Sequence, residues 1–174
     1  MLVFVCLLLP IHSAATQQTP DTVRYNGSVL SWQGHALDPL LKARGIKLAI
    51  RRTDAYDGYI ASWEIKGDKI FLRGLLAWIK TEGFDGESKI KEVGLEFLFP
   101  DSRAVFADWF SGKMILLESE SKFNEDWLVE ATYWYLSVES GVVTKSTRVK
   151  ETFDFHYDEQ ASRYFKLFCK SPRR

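Results

Sequence analysis

The chain has 174 residues, of which 46% are hydrophobic, 14% aromatic and 26% charged. This length and composition suit one packed domain and exclude a wholly disordered chain. The 23 basic residues equal the 23 acidic residues in number, so the chain lacks the positive charge that nucleic-acid binding and attraction to anionic membranes require.

The first 15 residues form an apolar run that ends in small side chains. The run LVFVCLLLP precedes Ser13, Ala14 and Ala15, which are small enough for a signal peptidase, and it is too short to span a bilayer stably. No Lys or Arg precedes the run, so a buried N-terminal strand is the alternative. We predict a signal peptide over residues 1–15 and a single globular α+β domain over residues 16–174, without stable membrane insertion and with a periplasmic or secreted location.

The segment after this leader contains a hairpin and a short helix. Asn26 and Gly27 separate two short β-prone runs, which predicts a tight hairpin because both residues tolerate a positive φ. The segment 37–45 predicts a helix with Asp38 as its N-cap. The apolar residues 46–50 are consistent with a strand.

The segment 57–75, DGYIASWEIKGDKIFLRGL, has the most regular pattern in the chain. Apolar and polar residues alternate along it, which is typical of a strand, and Gly67 and Asp68 form a turn between two strands. The side chains predicted to face the core are Tyr59, Ala61, Trp63 and Ile65. We therefore interpret this segment as the centre of the sheet.

The second half of the chain predicts further hairpins. Strands are expected over 104–110 and 113–118, and again over 128–139 and 142–150, each pair being joined by a Ser-Gly turn. Residues 92–102 fit either a strand or a short helical turn, and residues 156–174 predict an amphipathic helix. The predicted fold is α+β: a mainly antiparallel sheet of about six to eight strands built of hairpins, one short early helix and one C-terminal amphipathic helix.

Three motifs resemble those of a group of small bacterial proteins: YNG over 25–27, GYIASWEI over 58–65 and VFADWFSG over 105–112. The resemblance covers about residues 23–148, with a departure at Asp57, where the pattern of the group favours arginine. It implies a shared fold and a bacterial source. Since the group has no established activity, the resemblance implies no catalytic residue.

Aromatic side chains are the main candidates for ligand binding. The candidates are Tyr56, Trp109, Tyr133, Trp134 and Tyr135. Such rings can contact a glycan, a peptide or a partner protein, although rings on strands also build sheet cores. The three adjacent rings at 133–135 cannot all face one side of a strand, so either some are exposed or both faces are covered.

Two carboxylates next to tryptophans are the candidates for catalysis. Glu64 follows Trp63, and Asp108 precedes Trp109. A pair of carboxylates near aromatic rings is the arrangement of a glycosidase. The alternative is a glutamate on the sheet surface and an aspartate that caps a turn.

Other catalytic and metal-binding motifs are absent from the sequence. Without residues 1–15 the chain has one cysteine, Cys169, and two histidines, His35 and His156, which are too few and too distant for a zinc cluster. No phosphate-binding, dinucleotide-binding or hydrolase motif occurs. We predict no metal and no cofactor.

The sequence favours an exported, non-enzymatic binding or interaction module with a protein or glycan ligand. The first alternative is a small hydrolase of envelope glycan that uses Glu64 and Asp108. The second alternative is an immunity-type inhibitor that neutralises a toxin by surface complementarity. The sequence does not indicate the oligomeric state.

Overall fold

The computed structural model describes residues 18–82, 88–120 and 127–156, together with residues 159, 160 and 163. The elements are β1 (Asp21–Tyr25), β2 (Ser28–Trp32), α1 (Asp38–Ala43), β3 (Tyr59–Lys66), β4 (Lys69–Glu82), β5 (Ser88–Val93), a 3-10 helix (Leu95–Phe97), β6 (Val105–Phe106), β7 (Gly112–Glu120), β8 (Leu128–Glu139) and β9 (Val142–Asp154). The predicted β-rich, mainly antiparallel architecture is confirmed. The signal peptide predicted for residues 1–15 lies outside the described residues, as does most of the helix predicted for 156–174.

The strands form one sheet whose pairings close on themselves. Their order is β3-β1-β2-β7-β8-β9-β4-β5, and β3 also pairs with β4, so that seven strands form a ring. Every pairing is antiparallel except that of β1 with β3. The ring encloses the main core, and β5 and β6 are attached to it through β4.

Three tight turns join the hairpins of the ring. The central residues of these turns, with their φ angles, are Asn26 (50°) and Gly27 (79°), Gly67 (55°) and Asp68 (62°), and Ser140 (46°) and Gly141 (76°). Two successive residues at positive φ are the mark of a type I′ turn, whose twist matches that of the strands it connects. The turns predicted at these three places are confirmed.

A buried carboxylate connects two strands inside the ring. Asp21 on β1 is only 6% exposed. It accepts hydrogen bonds from the backbone N–H of Ala61 at 2.9 Å and from the indole N–H of Trp63 at 3.0 Å. These bonds offset part of the cost of burying a charge and fix the parallel pairing of β1 with β3.

The core inside the ring includes the inner face of β3. All four side chains predicted to face the core, Tyr59, Ala61, Trp63 and Ile65, are buried. The Trp63 ring lies edge-on to Trp32, with centroids 6.0 Å apart. The predicted inward face of this segment is confirmed.

A second apolar cluster covers the outer face of the β8–β9 hairpin. Its buried members are Val129, Ala131, Tyr133 and Phe153, with Ile115, Leu117, Tyr135, Val149 and Phe155 packed against them. The alternate residues Leu136 and Val138 of β8 face the main core. Both faces of β8 therefore pack against apolar side chains.

Two predicted strands are shorter than expected. Residues 46–50 contribute only one bridge, between Leu48 and Ile79. Within 104–110, only Val105 and Phe106 form a strand. The chain then turns, because the backbone N–H of Phe110 donates to the carbonyl oxygen of Ala107 at 3.0 Å rather than to a neighbouring strand.

The early helix forms, but its predicted cap was wrong. Helix α1 is capped by Leu37 and begins at Asp38, which therefore lies in the first turn. The Asp38 carboxylate lies 3.5 Å from Nδ1 of His35 and makes no side-chain cap. In the ambiguous segment 92–102, β5 ends at Val93 and the 3-10 helix follows.

Candidate functional site

Two of the five predicted binding rings lie in separate parts of the molecule. Tyr56 lies in the loop before β3 and is 51% exposed. The indole N–H of Trp109 donates to the carbonyl oxygen of Ala36 at 2.8 Å, and its ring stacks on Phe99 at 5.8 Å. Trp109 therefore holds the β6–β7 turn against the rest of the chain.

The other three rings alternate along β8. Tyr133 is 1% exposed and lies within the outer cluster. Trp134 faces the inside of the ring, where it lies edge-on to Tyr25 with centroids 5.2 Å apart. Tyr135 is half-buried on the outer face. The structure does not unite the five rings into one surface, and of these three only Tyr135 lines a groove on the outer face.

An ion pair lies beside Trp134, with the Arg148 side chain 55% exposed and that of Glu118 26% exposed. The Glu118 carboxylate accepts two hydrogen bonds from the Arg148 guanidinium, at 2.8 and 2.9 Å, and one from the Trp134 indole at 3.0 Å. Hydrogen bonding to Arg148 is the main reason that the pKa of Glu118 is below its usual value. This carboxylate is thus held as an anion by two fixed donors.

The two candidate catalytic carboxylates have different surroundings. Glu64 lies on the outer face of β3, with its carboxylate 3.2 Å from Nε of Arg73. Asp108 is exposed in the turn between β6 and β7. The groove that contains Glu64 is lined by Thr22, Arg24, Val29, Ser62, Trp63, Glu64 and Arg73. Among the described residues that line this groove Glu64 is the one carboxylate, so the groove does not bring Glu64 and Asp108 together.

The loop before β3 borders a small polar pocket at one end of the ring. Tyr56, Asp57 and Tyr59 are among its lining residues, and its volume is only about 20 Å³. Burial, followed by the nearby charge of Asp21, raises the pKa of Tyr59 above its usual value, so the phenol stays neutral. The enclosed part of the pocket holds about one water molecule, and the pocket is open to solvent.

A wider groove crosses the outer face of β7, β8 and β9, and we call it the Tyr135 groove. Its lining residues are Lys113, Tyr135, Leu136, Ser137, Lys145 and Thr147, and its volume is about 290 Å³. Ser137 lies between Lys113 on β7 and Lys145 on β9 in the strand register. Because the central side chain is short and the flanking ones are long, this row forms a trough.

Tyr135 borders this trough on the same face of the sheet. It precedes Ser137 by two residues on β8, and two residues is the repeat at which side chains share a face. Its ring lies edge-on to the buried Tyr133, with centroids 5.4 Å apart, which fixes its position. The Tyr135 groove thus combines a positioned ring, hydroxyl groups and two ammonium groups.

The charge of the Tyr135 groove is not balanced locally. No carboxylate lines it, and among the described residues no ion pair joins Lys113 or Lys145. Two ammonium groups about two strand spacings apart favour a ligand that carries negative charge. The lining also contains the hydroxyls of Tyr135, Ser137 and Thr147, which can donate or accept hydrogen bonds.

The two lysines of the groove were not among the predicted site residues. A two-residue turn at Ser140 and Gly141 alone would place Thr144 opposite Ser137. The register shifts by one residue between Ser137 and Val138, and this shift brings Lys145 opposite Ser137. The sequence offers no mark for this bulge, so the row of three side chains could not be predicted.

Within the part of the chain that the structure describes, neither a metal cluster nor a membrane-spanning element is found. No three His, Cys, Asp or Glu side chains converge there in a way that could hold a metal ion. No helix there has the length and apolar character needed to cross a membrane.

Comparison with known proteins adds no relative. No protein-family model matches the chain, and no curated protein or solved structure matches it. The resemblance to the bacterial group thus stays a prediction. Within the fold, its motifs coincide with structural features: the turn at Asn26, the bond between Trp63 and Asp21, and the packing of Trp109.

Proposed function

We propose that the protein is an exported, non-enzymatic binding module that holds a glycan or protein ligand in the Tyr135 groove. The observation that carries this proposal is the trough between Lys113 and Lys145, with the Tyr135 ring beside it. The ligand presents acidic groups, because the lining contributes two ammonium groups and no counter-charge. The export half of the proposal is supported by the apolar run and the small residues Ser13 to Ala15.

The contacts available in the groove are of complementary kinds. A sugar ring or an apolar side chain can lie against the tyrosine, while carboxylate, sulfate or phosphate groups reach the lysines. The hydroxyls of Ser137 and Thr147 can donate to or accept from the ligand between these points. Rigid strands carry all of these groups, so binding requires no ordering of the backbone, although the two lysine side chains lose rotamer freedom.

Binding is tested with immobilised mature protein and an envelope extract of the source cell, separated into glycan and protein fractions. We expect the unmodified protein to retain a ligand, and the Lys113→Gln/Lys145→Gln double variant to lose it. The matched control is Lys47→Gln/Lys66→Gln, which removes two exposed lysines from outside the groove. Tyr135→Ala reports the contribution of the ring.

Two results would contradict the proposal. Equal retention by the groove variant and the control would show that the groove is not the site. Mass spectrometry of the ligand after incubation would show covalent change if the protein were an enzyme. Separately, N-terminal sequencing of the exported fraction should return Thr16 as the first residue, and an intact Met1 would refute export.

A further inference from the structure

The groove that contains Glu64 lies on the outer face of β1, β3 and β4. The Tyr135 groove involves none of these strands. The groove at Glu64 has lining residues that include Thr22, Arg24, Val29, Ser62, Glu64 and Arg73, and its volume is about 240 Å³. We call it the Arg24 trough. Its residues face outward because the alternate residues of β1 and β3 are buried in the core.

The strand register creates the floor of this trough. Thr22 lies beside Ser62 in the parallel pair β1–β3, and Ser62 lies opposite Gly74 in β3–β4. A Cβ atom at position 74 would come within 2.6 Å of the Ser62 hydroxyl. The absence of a side chain at Gly74 therefore leaves room for the Ser62 hydroxyl, and the row consists of small residues, two of which carry hydroxyls.

A β-bulge supplies one wall of the trough. Trp63 pairs with Leu72 and Ser62 pairs with Gly74, so Arg73 is the extra residue of the bulge. Its guanidinium turns toward Glu64, and Nε lies 3.2 Å from the carboxylate. Bulges re-aim side chains in this way and are frequent next to binding sites.

Arg24 gives the trough its excess charge. It lies directly beside Glu64 in the parallel register, yet the carboxylate is paired with Arg73. Among the described residues, no hydrogen bond or ion pair is found for the Arg24 guanidinium. The trough thus holds two guanidinium groups and one carboxylate, which leaves one positive charge for a ligand.

We infer that the Arg24 trough binds a small sugar that carries one oxyanion, either a carboxylate or a phosphate. The oxyanion accepts paired hydrogen bonds from the Arg24 guanidinium, whose planar fork matches that geometry. The sugar hydroxyls exchange hydrogen bonds with Thr22 and Ser62 and donate to the Glu64 carboxylate. Val29, which is 64% exposed, offers an apolar contact at the rim.

The inference is tested by titrating the isotope-labelled protein with three probes and following its amide NMR signals. The probes are glucuronate, glucose 6-phosphate and glucose. We expect both charged sugars to shift the amides of Thr22, Ser62 and Gly74, and glucose to bind about tenfold more weakly because it lacks the charged hydrogen bonds. The charged probe that binds with the higher affinity identifies the oxyanion as carboxylate or phosphate.

Two variants provide the controls for this experiment. Arg24→Gln should weaken the charged sugars about tenfold and leave glucose unchanged. Arg103→Gln, which removes an exposed arginine outside the trough, should leave all three affinities unchanged. Because both side chains are exposed, the fold is expected to persist in each variant.

Three outcomes would overturn the inference: equal binding of glucose and the charged sugars, unchanged affinity in Arg24→Gln, or no shift of the three amides at millimolar probe. Shifts that instead map to Ser137 and Lys145 would also overturn it. That last result would support the Tyr135 groove as the sugar site. The failure of one proposal is therefore distinguishable from the failure of the other.

Discussion

The β3–β4 and β8–β9 hairpins have the same construction but different surroundings. Each joins two long antiparallel strands through a type I′ turn. The middle of β3 buries Trp63 on one side and presents Ser62 and Glu64 on the other. In β8, Tyr133 and Trp134 point to opposite sides, and both sides are packed.

This difference in burial explains why the two hairpins have different patterns of apolar and polar residues in the sequence. A strand with one buried face alternates between apolar and polar residues, which made the segment around Trp63 easy to interpret. A strand with two packed faces has apolar residues at successive positions, as in TYWYL. Truncation of a side chain on the outer face of β8 should therefore lower the free energy of unfolding as much as truncation of a side chain in the main core.

The largest expected effects test this equivalence directly. Trp63→Ala on the inner face of β3 and Tyr133→Ala on the outer face of β8 should each lower the free energy of unfolding by about 3–5 kcal/mol, because both remove a buried ring and leave a cavity. Denaturation in urea, followed by circular dichroism, measures both changes.

The matched control for these variants is Glu64→Gln on the polar face of β3. Its ion pair with Arg73 is partly exposed, so the variant should cost less than about 1 kcal/mol. If Tyr133→Ala were as mild as this control, the outer cluster would not be core and the comparison of the two hairpins would fail.

A smaller effect is expected at the two turns. Gly67 and Gly141 both have a positive φ, but a Cβ atom at Gly67 would meet nothing within 4 Å, whereas one at Gly141 would lie 2.6 Å from the carbonyl oxygen of Ala107. Gly67→Ala should cost about 1 kcal/mol through its φ angle alone. Gly141→Ala should cost at least about 1 kcal/mol more, because the backbone must shift.

The backbone around Gly141 explains why that shift is costly. Its N–H donates to the carbonyl oxygen of Phe110, and its own carbonyl oxygen accepts from the N–H of Ile70, both at 2.8 Å. Gly141 is thus fixed from both sides, whereas the β3–β4 turn is held through Asp68, whose carbonyl oxygen accepts from the N–H of Val143 at 2.7 Å. Equal midpoints for the two alanine variants in thermal unfolding would contradict this account.

The smallest expected effect concerns pH. Because Arg148 lowers the pKa of Glu118 in the folded state, the carboxylate contributes stability that is fully present above its ordinary pKa. This contribution is lost as the pH falls through the lowered folded-state value. The free energy of unfolding of Glu118→Gln should therefore fall less steeply in acid than that of the unmodified protein.

For the β3–β4 hairpin, the pH dependence of the free energy of unfolding can be tested at Asp54, which lies in the loop that leads to β3. The hydrogen bond from Arg52 is the largest cause that lowers the pKa of Asp54, and the hydrogen bond from Thr19 is the second. Asp54→Asn should likewise make the acid dependence shallower, since the sign of the linkage is the same. Acid dependences that coincide with that of the unmodified protein would rule out these roles.

The features that could be predicted from the sequence are the local ones. Turn residues such as Asn26 and Gly27, the alternation around Trp63 and the short helix at 38–43 each depend on neighbours in the chain. The ring closure depends on the pairing of Ser31 with Leu117, which no local pattern marks. Sequence reasoning therefore predicted three hairpins, but it was wrong to pair 104–110 with 113–118, since β6 pairs with β4, and it did not predict the strand order.

The candidate sites were predictable only in part. Tyr135 and Glu64 were identified as rings and carboxylates of interest, and each lines a groove. The partners of these residues follow from two register shifts, at Ser137 and at Ser62. Because a bulge moves a strand by one residue, the positions of Lys145 and Arg73 become known only from the structure.

The attachment of β5 to the ring has a consequence for self-association. Within the described residues β5 pairs with β4 alone, so it forms an edge of the sheet there. The strand is short and carries Lys89, Lys91 and Glu92, and charged side chains on a short edge oppose the addition of another chain. This edge of the sheet is therefore protected by charged side chains within residues 88–93.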